Sequence, residues 1–230
     1  MILEDNLIVH DARFVPGYRL FRSDATGHAV FVRGRERLDV YTANRGPLEK
    51  MLGVDLIYVN VSKQNVVMVQ YKMLEKEEPA ADDDDHPVWV FRPDKRFYAE
   101  KDRMIDLRRE ASPQDYRLNP EPFYFKFAKR FQGGSQGSIL LPLEHLEQYL
   151  KSDAAKGPQG GLRVCYEGLR GRYLRETEFL GLIRAGYIGT HAEETRLLAL
   201  CISALMNGNR ALVYAVQRGE SNDSGEEADA

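Results

Sequence analysis

The chain has 230 residues, 43% of them hydrophobic and 29% charged, with a formal net charge of −3 and two cysteines. That length supports one large domain, or a core with an appendage, without disulfides or structural metal, and no apolar run approaches the ~18 residues needed to span a bilayer. Neither Cys165 nor Cys201 belongs to a CxxC pair or lies at ligand spacing from a histidine, which argues against a zinc site and for free thiols in the interior.

From Phe14 to Val32, aromatic and β-branched residues broken by Gly17 and Gly27 predict short strands and turns. A strand over LDVYT, a turn over ANRGP and a short helix over LEKML follow. Two apolar runs, Val54–Val61 and Val66–Leu74, are separated by a turn-sized polar gap and predict a β-hairpin. Pro87–Phe91 predicts another strand, with Trp89 in the core, and Lys95–Arg109 an amphipathic helix. Phe123–Phe127 suits a strand, QGGSQG at 132–137 a turn, and Pro142–Leu150 a helix. Two further helices are expected over Arg175–Ala185 and His191–Met206, the second N-capped by Thr190 with Glu193 completing a capping box. A terminal strand, Ala211–Gln217, precedes a disordered tail. His86 and His191 are expected at the surface.

Charge is unevenly placed. Residues 77–86 hold six acids and 219–230 hold five, with no Lys or Arg in either, so the remaining body carries about +8. Such a body is compatible with phosphate contacts. The opening MILED lacks the basic and apolar start of a secretory signal, so a cytoplasmic protein without a membrane partner is expected. No phosphate-binding loop or dinucleotide fingerprint occurs.

The segment most informative about chemistry is GPLEKMLGVDLIYVNVSKQNVVMVQYKML, residues 46–74. Closing the hairpin through Lys63 and Gln64 sets Asp55 opposite Lys72. Alternation then puts Gln70 and Lys72 on the face that carries Asp55 and Ile57. Oxygen donors such as Asp55, the Gln70 amide and the Tyr71 backbone carbonyl suit Mg²⁺, or Mn²⁺ in its place. A lysine beside them can hold a nucleophilic water or developing charge, as general base or as electrostatic stabiliser. The plain alternative is a cross-strand ion pair on a solvated face, although both runs are almost continuously apolar, as in strands covered on both sides.

GVDLI followed by an apolar strand ending VQYK resembles the core of PD-(D/E)XK nucleases, in the branch where Gln replaces the second acid, as in Mrr-like restriction and antiphage enzymes. The resemblance spans about 30 residues. It implies a restriction-endonuclease-like α/β fold, with a central mixed β-sheet flanked by helices and a helical C-terminal portion. It further implies that Asp55 binds metal, that Gln70 occupies the variant acid position and that Lys72 is the family lysine. An upstream helix in the family adds a glutamate, for which Glu49 is the candidate and Glu36 the fallback.

The expected function is metal-dependent cleavage of nucleic acid, DNA ahead of RNA, in prokaryotic defence or restriction. Two rivals stand beside it: a non-catalytic scaffold, and a nuclease subunit silent until a homo-oligomer or partner assembles it. Arg92, Lys95 and Arg96 after one strand, and Lys126, Lys129 and Arg130 among aromatics, are candidate phosphate contacts. The domain layout expected is a core over 1–110, a C-terminal α+β portion over 111–218, and the tail over 219–230. The acidic segment 76–86 forms a loop that could mimic nucleic acid.

Overall fold

The computed structural model describes residues 3–77, 87–130 and 137–206. It is α/β, with nine strands among the described residues in one large mixed sheet and helices on its faces. The elements are α1 (Glu4–Asp11), β1 (Arg19–Ser23), β2 (His28–Arg33), β3 (Glu36–Thr42), α2 (Pro47–Leu52), β4 (Leu56–Asn60) and β5 (Asn65–Glu77). After these come β6 (Val88–Phe91), α3 (Lys95–Lys101), β7 (Phe123–Lys129), β8 (Ile139–Pro142) and α4 (Leu143–Lys151). The last are β9 (Val164–Cys165), α5 (Tyr166–Leu169), α6 (Glu176–Ala185) and α7 (Ala192–Met206). Among the described residues no helix is long and apolar enough to cross a membrane.

Strands β1 to β5 form an antiparallel meander, and β7 lies parallel to β5 on its other side. The 13-residue β5 is the axis of the fold: β4 pairs with residues 65–69 and β6 with residues 75–77. Between those stretches, residues 70–74 are paired only with β7. The chain after residue 110 contributes β7, β8 and β9 to this same sheet.

Side-chain alternation sorts the sheet into two buried faces, which is why β4 and β5 are apolar throughout. One face packs Leu56, Tyr58, Val67, Val69, Tyr71 and Tyr124 against Ile8 of α1 and Phe179 of α6. The other packs Ile57, Val59, Val66, Met68 and Phe123 against α2 and α7. That second face continues through Leu74, Phe125 and Phe127 under Phe97 of α3 and Leu146 of α4.

Several expectations are corrected. The hairpin register runs from Leu56↔Val69 to Asn60↔Asn65, with 61–64 as a four-residue connection, so Asp55 comes level with Gln70 instead of Lys72. The displacement is two residues, and the shared face survives because parity is kept. α1 was not expected, since its sequence lacks an apolar stripe. α3 ends at Lys101 rather than 109, its chain turning through Arg103 N–H to Glu100 O (3.1 Å), and Met104 reaches the core from the irregular segment beyond.

Thr190 does not cap α7. Its hydroxyl takes the Val66 N–H (2.9 Å) and pairs with Thr195 (2.7 Å), while Asp115 caps Ala192 N–H (2.7 Å). The close approach of this turn to β5 requires Gly189, at φ 94°, where a Cβ would strike Val66 and Val67. His191 is buried and not on the surface, and neither ring nitrogen has a partner among the described residues. Cys165 is buried and Cys201 partly so. Most of the acidic segment 76–86 with His86, all of the 132–137 turn but Gly137, the strand 211–217 and the tail 219–230 lie outside the described residues.

Candidate functional site

Asp55 stands at the point where β4 begins. α2 ends on Gly53 in the left-handed region (φ 67°), whose N–H returns to Glu49 O at 2.8 Å. That reversal feeds Val54 and Asp55 straight into the sheet. The Asp55 carbonyl accepts from Ala43 N–H (2.8 Å) and Asn44 N–H (3.2 Å), and its N–H donates to Val69 O (2.9 Å). Its carboxylate Oδ2 accepts the Tyr71 N–H at 2.8 Å, in the stretch of β5 that β4 leaves unpaired. Among the described residues no donor bonds Oδ1. In a regular strand the C=O of Tyr71 shares the edge its N–H faces, so it is directed to the same gap.

Gln70 and Lys72 follow on the face of Asp55, Ile57 and Met68. Gln70 is fully buried, and among the described residues neither its Oε1 nor its Nε2 has a hydrogen-bond partner. A buried amide without partners costs about 1–3 kcal/mol, which selection tolerates mainly where the group has another task. Lys72, 7% exposed, is ion-paired with Glu100 of α3. The other Glu100 oxygen accepts from Arg96 Nε at 2.8 Å. Asp94 caps α3 by accepting the Phe97 N–H (2.8 Å), fixing the turn that carries Arg96 and Glu100 toward β5.

Two further carboxylates border this group. Burial raises the pKa of Asp55 to about 7; the Tyr71 N–H and Lys72 oppose the shift, and the charges of Glu4 and Glu49 add to it. Burial likewise raises Glu4, at the start of α1, against the attraction of Lys72 and Arg96. Glu49 lies 3.9 Å from Arg96 and accepts from the Arg45 N–H. Glu36 sits at the other end of β3, accepting from the Tyr18 hydroxyl (3.1 Å), away from Asp55. Sequence reasoning missed Glu4 and Glu100. Only the pattern Arg96-x-x-x-Glu100, an i,i+4 pair on the expected helix, offered a hint of the latter.

The arrangement is a largely buried cluster of acids around one lysine, with an amide beside it that is unsatisfied among the described residues. Its donors are all hard oxygens, which fits a small divalent cation: Asp55 Oδ1, Gln70 Oε1, the Tyr71 carbonyl and Glu4 would hold it. Among the described residues no three His, Cys, Asp or Glu side chains form a metal-ligating group, so such a site draws on the amide and the backbone.

The cationic residues expected at phosphates are placed variously. Arg92 is paired with Glu77 and Arg130 with Glu75 (2.7 Å), while Arg96 belongs to the Glu100 pair. Lys129 packs over Trp89 (5.3 Å) and Tyr166 (4.9 Å). Lys95 is exposed at the start of α3. Lys126 is in the core on the opposite face, bonded to Asp11 (2.5 Å) and Glu176 (3.2 Å); Tyr71 Oη also donates to Asp11 (2.7 Å). It is therefore no surface cation.

No protein-family model, curated protein or solved structure matches this chain.

Proposed function

We propose that this protein is a metal-dependent nuclease that hydrolyses phosphodiester bonds, DNA ahead of RNA, at Asp55, Gln70 and Lys72. The observation that carries the reading is the Gln70 amide, wholly buried and, among the described residues, without a hydrogen-bond partner, beside a carboxylate whose Oδ1 is likewise free among them. The restriction-endonuclease-like core belongs to the same proposal. It is supported by a hairpin bearing the Asp and the Gln-x-Lys on one face, by a parallel strand beside it, and by a helix that brings Glu4. In this reading Glu4, rather than Glu49, supplies the upstream acid.

A bound divalent cation would polarise the scissile phosphate and acidify water. Asp55, Gln70 and Glu4 would orient that ion. Lys72 would hold the attacking water or the charge that develops on phosphorus oxygens, and Glu100 positions its ammonium. Placement in a cytoplasmic prokaryotic defence or restriction pathway follows from the family resemblance alone.

One observation favours the version in which the enzyme waits for assembly: Asp55, Gln70 and Lys72 are 2%, 0% and 7% exposed, and Lys72 is tied to Glu100. A phosphate reaches them only after α1 or α3 shifts. A partner or second copy that draws α3 outward would open the site.

The test is cleavage of supercoiled plasmid and of single-stranded DNA and RNA, with Mg²⁺, Mn²⁺ or EDTA, by the wild type, Lys72→Ala and Asp55→Asn. Metal-dependent cutting lost in both variants, with folding intact by circular dichroism, supports the site. Cutting that persists in both variants rejects it. For the waiting version, mass measurements across concentration accompany the assay, and a permanently monomeric, fully active chain refutes it.

A further inference from the structure

The outer part of the sheet carries cations that no carboxylate neutralises. Arg19 and Arg22 lie on β1, Arg33 and Arg35 at the β2–β3 turn, and Arg13 after α1; all are exposed and none has an acidic partner among the described residues. This contrasts with Arg92, Arg96 and Arg130, each held by a glutamate. Phe21 projects from β1 at 64% exposure, with the Arg19 guanidinium 5.9 Å from its ring centre.

The register places these groups relative to the candidate site. Arg19 pairs with Val32 and Arg22 with Val30; Val30 pairs with Asp39, and Asp39 with Val59. Arg19 and Arg22 thus share the sheet face of Val59 and Asp55. Tyr41, stacked on His28 at 4.3 Å, lies between on that face. From strand spacing and rise, the path from Asp55 to Arg19 is roughly 25 Å, a few nucleotides of extended strand.

We propose that the β1–β3 face binds single-stranded nucleic acid, with Arg19 and Arg22 on phosphates, Arg35 of the β2–β3 turn beside them, and Phe21 stacking on a base. Unpaired guanidiniums select a polyanion, and an exposed ring among them offers a surface for bases, whose stacking contributes about 1–3 kcal/mol each. A second copy or an extended peptide fits the β1 edge poorly. The ladder is interrupted between Leu20 and Arg22, and an arginine-bearing, bulged edge resists strand addition. The binding surface stands on its own geometry; only the route of the strand toward Asp55 rests on the nuclease reading.

Fluorescence anisotropy with labelled oligo-dT and oligo-U, in EDTA so that no cleavage occurs, tests it with the full chain. Arg19→Glu with Arg22→Glu should weaken binding at least tenfold, and removing two phosphate contacts should lower the salt slope by about 1.4. Arg35→Glu, at the turn, should weaken it independently, and Phe21→Trp should retain binding with quenching of the added indole. Because these residues are exposed, the variants should melt with the wild type. Unchanged affinity in both the Arg19/Arg22 double variant and Arg35→Glu, or binding of the wild type to anionic vesicles or acidic peptides in preference to the oligonucleotides, overturns the proposal. Loss of binding in these variants beside an inactive but binding-competent wild type leaves this surface standing while the nuclease reading fails.

Discussion

The Lys72 ammonium and the Glu100 carboxylate are ion-paired beneath α3, both almost wholly buried, with Arg96 on the free edge of the same carboxylate. Such a pair adds little net stability over apolar residues of like size, but removing one member strands the other charge, at about 3–5 kcal/mol. Lys72→Met should therefore lower the unfolding free energy by several kcal/mol, less what Arg96 compensates. Adding Glu100→Gln should restore most of it. Urea midpoints for the two single variants and the double variant measure the coupling, and strictly additive losses would contradict a direct pair.

Asp55 links stability to pH with a sign opposite to that of an ordinary salt-bridged acid. Its carboxyl titrates at about 7 when folded and near 3.9 when unfolded, so between those values the folded state holds the extra proton. Stability from this group is full below about pH 4 and is lost as pH rises to 7, to the extent of ~4 kcal/mol, with no further change above. Asp55→Asn should flatten that slope and raise the melting temperature at pH 8 while removing any cation-dependent activity. A variant no more stable than the wild type at pH 8 would show that the carboxylate is not strained by burial. A cation binding here must displace the proton, so its affinity should rise between pH 6 and 8.

Gly53 joins α2 to Asp55 and lies against α3. Its φ is positive, and a Cβ there would strike the Glu100 carbonyl and come within 3.4 Å of Arg103 Cβ. Gly53→Ala should cost about 1 kcal/mol for the left-handed backbone and more for the collision, which moves Glu100 away from Lys72. Differential scanning calorimetry gives the stability. A melting temperature within 1 °C of the wild type, a difference of roughly 0.5 kcal/mol for a chain of this size, would mean that α2 and α3 do not meet as described.

The hairpin that carries Asp55, Gln70 and Lys72 was legible because two apolar runs and alternation fix which side chains share a face. Its exact register was not, since loops of two and of four residues satisfy the same parity. The strand at Phe123–Phe127 was legible for the same reason, but its parallel seat beside β5 is a long-range pairing that local pattern does not encode. Glu4 and Glu100 were hidden because one begins a helix without an apolar stripe and the other looks like one charge among many on an amphipathic helix. Lys126 misled for a related reason. Its aromatic neighbours Phe125 and Phe127 face one side of the sheet, so alternation itself sends the lysine inward on the other, to a partner 115 residues away.

That inward lysine gives the last prediction. Lys126 is held by Asp11 at 2.5 Å and Glu176 at 3.2 Å, and lies 5.4 Å from the Tyr71 ring centre, while Tyr71 donates to the same Asp11 oxygen. The cluster therefore ties α1, β5, β7 and α6 together from the face opposite Lys72. Asp11→Ala would leave the lysine with Glu176 alone and the Tyr71 hydroxyl without its acceptor, a loss of about 3 kcal/mol. Lys126→Met should cost less, because a methionine follows the path of the stem, and Asp11 keeps its Tyr71 bond. Chemical denaturation of both variants, beside oligonucleotide binding at a temperature where both are folded, separates the roles. A stability loss with unchanged binding is expected, and a binding defect in stable Lys126→Met would instead mean that this lysine reaches nucleic acid.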